Sequence, residues 1–486
     1  MRFVLQGSTH GLADAEAFVG RLSHLPDDAG AASFLLPSGR DVLVTRVPAR
    51  LGLFGGLGHG TGARTLSWPL GGGVLAALQR QAAPALRISR LRPGLAGIEA
   101  TLELPLHFLE TGGHPVDLAL AREYFARYED RRWAARLAGA VLVLMRERGL
   151  RFGEGLQLLV AASVVEDEGL GTPAALDVAS LRLLAIEANV SMDGRELDRL
   201  CHLIEQAIVG HAYPWVDVLT ATRAAPGQIF AQPASAGRAG EAVRWPGDLG
   251  LWGLVPTIDY PGHARRRRSL QTAALMAYRV AADLAGLPAR LVAPGLVAVE
   301  DGRWHGRLAA VPHEEFAASV LPHLPAELDG AVFLARYDGL TVASVQVDPA
   351  ETYPLRAAAR HVVEEHDRAR QFEFLLGGAG DEPVALLGQL LTESHESHAA
   401  CDLTSPMLDA ALAAARQRFV ARGGLAVSVV AGAEGRALVA LARADAEASV
   451  RSLAADLQRA LNARVAIVGG TSPGASRFGM IRLRGG

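Results

Sequence analysis

The fold is indicated by one stretch of the chain, Gly169-Leu-Gly-Thr-Pro-Ala-Ala-Leu-Asp-Val-Ala179. The segment just before it, 155–165, is rich in leucine and valine and predicts a buried strand. The segment 174–189 has the apolar spacing of an amphipathic helix, with Thr172 as its N-cap and Pro173 as its first helical residue. A strand, a glycine loop and a helix N-terminus in this order direct backbone N–H groups and the positive end of the helix dipole at whatever lies in front of the loop.

Strands and helices alternate on both sides of this stretch. We predict a strand at 41–47 that ends at Pro48, a glycine-rich turn at 51–62, and helices at 118–148, 195–210, 270–285, 355–376 and 383–398. The loose segment of small residues at 221–241 suggests a boundary. We therefore expect an α+β protein of two domains, 1–230 and 231–486.

Composition excludes several classes of function. The 486 residues are 50% hydrophobic and 20% charged, with a formal net charge of −3, so no bulk electrostatic attraction to nucleic acid or to a membrane surface is expected. The sequence contains no lysine, which excludes a lysine nucleophile and the phosphate loop G-x-x-x-x-G-K-[ST]. Its two cysteines, Cys201 and Cys401, are too few for a disulfide framework or a cysteine-rich zinc site.

The N-terminal residues carry no apolar run of the kind found in signal peptides, and the longest apolar stretches are far shorter than a bilayer span. We expect a soluble, cytoplasmic protein that is a monomer or a homodimer and binds a small molecule.

Several segments in sequence order carry a resemblance to one family. They are Pro48-Ala-Arg-Leu-Gly-Leu-Phe-Gly-Gly-Leu-Gly-His-Gly-Thr-Gly62, the stretch 169–179, Glu205 followed twelve residues later by Asp217, the segments 359–361 and 394–403, and Gly470-Thr-Ser-Pro-Gly-Ala-Ser-Arg-Phe-Gly479. In these segments the chain resembles the GHMP family of small-molecule kinases, on its galactokinase and L-arabinokinase branch. The resemblance implies N-terminal and C-terminal α/β lobes around a cleft, with ATP at the phosphate loop and a monosaccharide beside it.

The resemblance also implies roles for individual residues in transferring the ATP γ-phosphate to an anomeric hydroxyl. Asp217 matches the aspartate that accepts or orients that hydroxyl, and Arg50 matches the arginine that stabilises the transferring group. Glu205 and Thr172 match positions that hold Mg²⁺. Positions implied for the ATP phosphates are Gly169, Gly171 and Thr172, and positions on the sugar side are His59 and Arg267.

Each family motif is altered in this sequence. Gly171, Thr172 and Pro173 stand where the family has three serines, and proline has no N–H to offer a phosphate. The acidic residues at 166–168 would repel phosphates unless a cation screens them. Val429 and Val430 replace glycines of the third motif. His59-Gly60 and two arginines of the run 265–268 replace Asp-Tyr pairs on the sugar side, which should change the ligand.

Alternatives to a sugar 1-kinase therefore stay open. The stretch 169–173 is equally consistent with an ordinary capped helix start in a catalytically inactive binding or regulatory protein. The run Arg265–Arg268 is consistent with a solvated face next to a helix that starts at about Ser269, or with a site for an anionic ligand. Histidines spaced as His361 and His366 are poorly aligned for one metal on a helix, and His395, His398 and Cys401 are better explained by helix packing.

Overall fold

The computed structural model describes residues 3–24, 40–55, 57, 60–95, 97–164, 169–210, 215–232, 240–378, 381–430 and 437–485. The strands are β1 Phe3–Gln6, β2 Val42–Phe54, β3 Thr65–Gln81, β4 Ala85–Leu91, β5 Ile98–Pro105, β6 Glu110–Thr111, β7 His114–Pro115, β8 Gly155–Ala162, β9 Gln228–Gln232, β10 Glu241–Arg244, β11 Leu249–Pro256, β12 Ala289–Ala293, β13 Gly295–Val299, β14 Leu328–Asp329, β15 Gly339–Leu340, β16 Thr352–Tyr353, β17 Gly424–Val429, β18 Leu438–Arg443, β19 Val465–Val468 and β20 Ile481–Gly485. The helices are α1 Ala13–His24, α2 Leu118–Arg127, α3 Ala135–Arg148, α4 Thr172–Glu187, α5 Gly194–Ile204, α6 Trp215–Arg223, α7 His263–Leu284, α8 His313–Glu315, α9 Gly330–Tyr337, α10 Leu355–Leu375, α11 Asp381–Ala400, α12 Pro406–Ala421, α13 Glu447–Leu461 and α14 Ala475–Phe478.

The chain divides into two compact units whose segments alternate along the sequence. Unit 1 comprises Met1–Arg50, Pro69–Pro226 and Gly470–Gly486, and unit 2 comprises Leu51–Trp68 and Gly227–Gly469. Both units combine helices with sheets, as the α+β prediction requires. The prediction of domains 1–230 and 231–486 stays a prediction.

Unit 1 is built on a sheet with the strand order β1-β20-β2-β3-β8-β4-β5. The predicted strand at 155–165 is confirmed as β8, which pairs antiparallel with β3 and parallel with β4. Leucines and valines of these strands pack against α3, α4 and α5 in one core. Helix α4 is buried on nearly all sides, whereas the sequence predicts an amphipathic helix; its alanines leave room for α3, α5 and α6 to approach closely.

Two elements of unit 1 differ from their sequence predictions in extent. The helix predicted at 118–148 is interrupted, because a 3₁₀ turn at Glu129–Ala134 separates α2 from α3. The strand predicted to end at Pro48 continues as β2 to Phe54. A proline removes one donor from the ladder, but its backbone angles suit an extended strand, so β2 carries Arg50 within a regular element.

Unit 2 contains a sheet with the order β17-β18-β11-β19, covered by α12 and α13. In a second core of this unit, α10 packs against both α7 and α11. Helix α7 begins at His263, six residues earlier than predicted, so the four arginines 265–268 lie inside its first two turns. Among the described residues, none of the helices has the length and apolar character needed to cross a membrane.

Candidate functional site

The loop that opens α4 is tied to strand β2 by its backbone. The amide N–H of Arg50 donates to the carbonyl of Leu170 over 2.7 Å. Gly171, with a φ of +69°, is the N-cap of α4, so the helix begins at Thr172 and not one residue later as predicted. A Cβ added at Gly171 would lie 2.7 Å from Cγ of Arg50. Backbone conformation and close approach therefore both require glycine here.

Arg50 and Asp217 form a buried ion pair in unit 1. Nη2 of Arg50 lies 2.6 Å from Oδ1 of Asp217, and their side chains are only 3% and 4% exposed. Arg50 is on β2 and Asp217 is in the first turn of α6, where the helix dipole favours a negative charge. The structure thus brings together the two residues predicted as catalytic, next to the glycine loop.

Glu205, the predicted metal ligand, is engaged by an arginine that the sequence did not single out. Arg136 on α3 hydrogen-bonds to the carboxylate of Glu205 and also lies 3.1 Å from the carboxylate of Asp177 on α4. Both carboxylates are buried. Asp177 belongs to the stretch 169–179 and was detectable as the charged residue in the first two turns of α4, whereas nothing local marks Arg136.

This arrangement does not fit a Mg²⁺ ion bound at Glu205 as it stands. Mg²⁺ prefers carboxylate and water oxygens around it, and here a guanidinium already neutralises the Glu205 carboxylate. Phosphate oxygens fit the loop better, because Gly169 and Gly171 have no side chains and the first turn of α4 has N–H groups without intrahelical partners. Gly171 and Asp177 are about 9 Å apart along the axis of α4. The arginines of the two ion-pair clusters, Arg50 beside Gly171 and Arg136 beside Asp177, therefore both lie against the first two turns of this helix.

The two residues predicted on the sugar side are His59 and Arg267. His59 lies outside the described residues. Arg267 is on α7 in unit 2, where its positive charge lowers the pKa of the buried His361 and His398, although burial is the larger cause of both shifts. Arg266 donates to the carbonyl of Cys401 and to Asp402, each over 2.9 Å, so one arginine of the run is engaged locally and not solvated.

The known proteins to which the chain is similar include several small-molecule kinases. The chain is 26% identical to L-arabinokinase of Arabidopsis thaliana, over 99% of this chain and 52% of that protein, so it spans about half the length of the curated relative it matches. Its structure is similar to that of Lactococcus lactis galactokinase complexed with galactose, with a TM-score of 0.65 at 16% identity, over 94% of this chain and 98% of that one. L. major mevalonate kinase in complex with R-mevalonate has a TM-score of 0.51 at 15% identity, over 88% and 96% of the two chains. No model of a protein family matches the chain.

Proposed function

Because the chain has the GHMP kinase fold and is a homologue of L-arabinokinase, on the galactokinase and L-arabinokinase branch, we propose that it is a sugar kinase. The reaction proposed is transfer of the γ-phosphoryl group of ATP to the anomeric hydroxyl of a monosaccharide. The observation that carries this proposal is the Arg50–Asp217 pair, which is buried beside a glycine loop at a helix N-terminus.

In this proposal Asp217 accepts a hydrogen bond from the sugar hydroxyl and takes its proton as the new P–O bond forms. The bond between the γ-phosphorus and the bridging oxygen of ATP breaks, and ADP leaves. Arg50 holds the Asp217 carboxylate in place through their ion pair at 2.6 Å. Its positive charge would also stabilise the negative charge that develops on the transferring group. Gly169, Gly171 and Thr172 hold the phosphates of ATP at the start of α4. Mg²⁺ typically accompanies ATP in kinases.

A first test measures nucleotide binding by thermal melting. If the loop binds ATP, saturating nucleotide should stabilise the protein by about 2.7 kcal/mol at a hundred times Kd. The titration is run with and without Mg²⁺, because a guanidinium at Glu205 supplies positive charge without a metal. A melting temperature that stays flat in both titrations contradicts the proposal.

A second test measures ADP release with a panel of neutral monosaccharides and their acid and phosphate forms. Asp217→Asn should lower sugar-dependent turnover by about 10²–10⁴-fold, with ATP binding retained. Asp198→Asn is the matched control, because Asp198 is also buried in unit 1, on α5, and its nearest guanidinium partner is Arg223 at 3.5 Å. Equal turnover in Asp217→Asn and the parent would show that Asp217 is not the base.

A second candidate function is a nucleotide- or sugar-binding protein without turnover. It is favoured by the engagement of Glu205 and Asp177 by Arg136, and by Pro173 in place of an N–H donor. The two tests separate these functions, because a binding protein melts at a higher temperature with ATP but releases no ADP with any sugar. Binding of an acidic or phosphorylated sugar alone, lost in Arg267→Ala, would instead support an anionic ligand.

A further inference from the structure

Three buried side chains of unit 2, each with an unpartnered polar atom, come together in the core. His361 and Glu365 lie one turn apart on α10, and His398 lies on α11. The three residues are 1%, 1% and 3% exposed. Nε2 of His361, Oε2 of Glu365 and Nε2 of His398 make no hydrogen bond within the described part of the chain. One ligand atom from each residue lies within 4.8 Å of the other two.

The opposite atom of each side chain is fixed by a partner. Nδ1 of His398 is 2.8 Å from the carbonyl oxygen of Ser394, and because a carbonyl only accepts, Nδ1 carries the hydrogen. Nε2 of the neutral ring is therefore a bare lone pair. Nδ1 of His361 lies 2.9 Å from Oγ of Ser397, which allows the same tautomer. Oε1 of Glu365 accepts from Nη1 of Arg368 over 2.8 Å.

These contacts leave three acceptors facing one another without a donor. Acceptors that converge in a dry core repel one another and lose the hydrogen bonds they would make in water. A cation at their centre removes both penalties. A water molecule does so incompletely, because its two hydrogens satisfy two of the three lone pairs.

We propose that His361, Glu365 and His398 bind one divalent transition-metal ion of the Zn²⁺ class. Two imidazole nitrogens and one carboxylate oxygen form a common ligand set for Zn²⁺, with a fourth position for water. Hydrogen bonds from the far side of each ligand, as seen at Ser394, Ser397 and Arg368, are the usual way in which such ligands are oriented.

The site lies between two packed helices. All three ligands are buried, and the ion would join α10 to α11, two helices that already pack together. Arg368 and Arg267 both place a positive charge near the histidines. Arg368 also pairs with Glu364 at 2.8 Å, so its effect on the site is partly balanced. His361 and Glu365 are four residues apart and share one helix face, unlike the five-residue spacing of His361 and His366.

The test is metal analysis of the purified full chain after growth with Zn²⁺ and gel filtration without chelator. We expect about one zinc per chain in the parent and loss of that zinc in His398→Ala and Glu365→Gln. The control is His395→Ala: His395 is also buried on α11, but its Nε2 faces the Asp409 carboxylate at 3.3 Å and it should keep the metal. Equal zinc loss in His395→Ala would overturn the assignment to these three residues.

Two measurements on the parent chain keep the proposal testable even if the variants fold poorly. Removing metal with a strong chelator should lower the melting temperature, and adding back Zn²⁺ should restore it. Co²⁺ in place of Zn²⁺ should give the visible absorption of a four-coordinate site with nitrogen and oxygen ligands. Metal-free protein whose melting temperature does not respond to Zn²⁺ would mean that the centre binds no metal ion, and the proposal would be wrong.

Discussion

Replacing Asp217 by Asn should destabilise the protein strongly, whatever it does to activity. The change removes one charge from a pair whose atoms lie 2.6 Å apart and whose side chains are 3% and 4% exposed. At that distance and an effective dielectric constant of about 20, the attraction between unit charges is about 6 kcal/mol. Most of it offsets the cost of taking both charges out of water. The variant keeps the cost of burying the Arg50 charge but loses the attraction. We therefore expect its free energy of unfolding to fall by about 3–5 kcal/mol.

The assay is urea unfolding of four proteins: the parent, Asp217→Asn, Arg50→Met, and the double variant Arg50→Met with Asp217→Asn. In the double variant neither charge is buried, so its free energy of unfolding should return to within about 1–2 kcal/mol of the parent. Asp130→Asn is the control, because Asp130 is 80% exposed and should change stability by less than about 0.5 kcal/mol.

Two results would refute this reasoning. A cost below about 1 kcal/mol for Asp217→Asn would mean that the pair is solvated. A double variant whose loss equals the sum of two large single losses would mean that the charges are not coupled. The measurement also sets the conditions for the turnover assay, since Asp217→Asn has to be compared with the parent well below its own unfolding temperature.

Two further predictions concern a glycine and a buried histidine. Gly171→Ala should lower the free energy of unfolding in urea by about 1–3 kcal/mol more than Gly149→Ala does. The two glycines have similar φ angles, +69° and +64°, but only at Gly171 would the new Cβ lie 2.7 Å from Arg50. Equal losses in the two variants would show that this contact does not matter. Burial, with a smaller effect of Arg416, lowers the pKa of His395 to about 4 even though a carboxylate lies nearby. Between pH about 6.5 and about 4 the unfolded chain therefore binds the extra proton, and stability is lost as pH falls through that window. His395→Leu should make the slope shallower by about 1.4 kcal/mol per pH unit, and an unchanged slope would contradict the lowered pKa.

The parts of the fold that were predictable are those encoded by neighbouring residues. The strand β8 and the helix α4 have strong local signals, namely a run of leucines and valines, then glycines and a proline at a helix start. The start of α7 was misplaced because four consecutive arginines hide the apolar periodicity, while the signal at Gly262, its N-cap, is a single glycine. The break after α2 was missed for a similar reason. The charged segment 129–132 has a composition typical of a helix, but it folds as a 3₁₀ turn.

The site was predictable only where the family motifs point to it. Arg50 and Asp217 are 167 positions apart, and their pairing follows from the resemblance and not from any local pattern. Arg136 could not be found that way, because its contacts with Asp177 and Glu205 depend on how α3, α4 and α5 pack. The cluster of His361, Glu365 and His398 was missed for the same reason: helix periodicity allows the first two to share a face, but only packing brings the third from α11.

Charge matching distinguishes the two places where a metal ion is in question. In a chain with no lysine, guanidinium groups neutralise the buried carboxylates, as at Asp217, Asp177 and Glu205. Unit 1 therefore needs no cation for its own stability, and Mg²⁺ should matter there only with ATP bound. In unit 2 arginine reaches one oxygen of Glu365 and leaves the second with two imidazoles. A chelator added without nucleotide thus tests unit 2 alone, whereas the Mg²⁺ dependence of ATP binding tests unit 1.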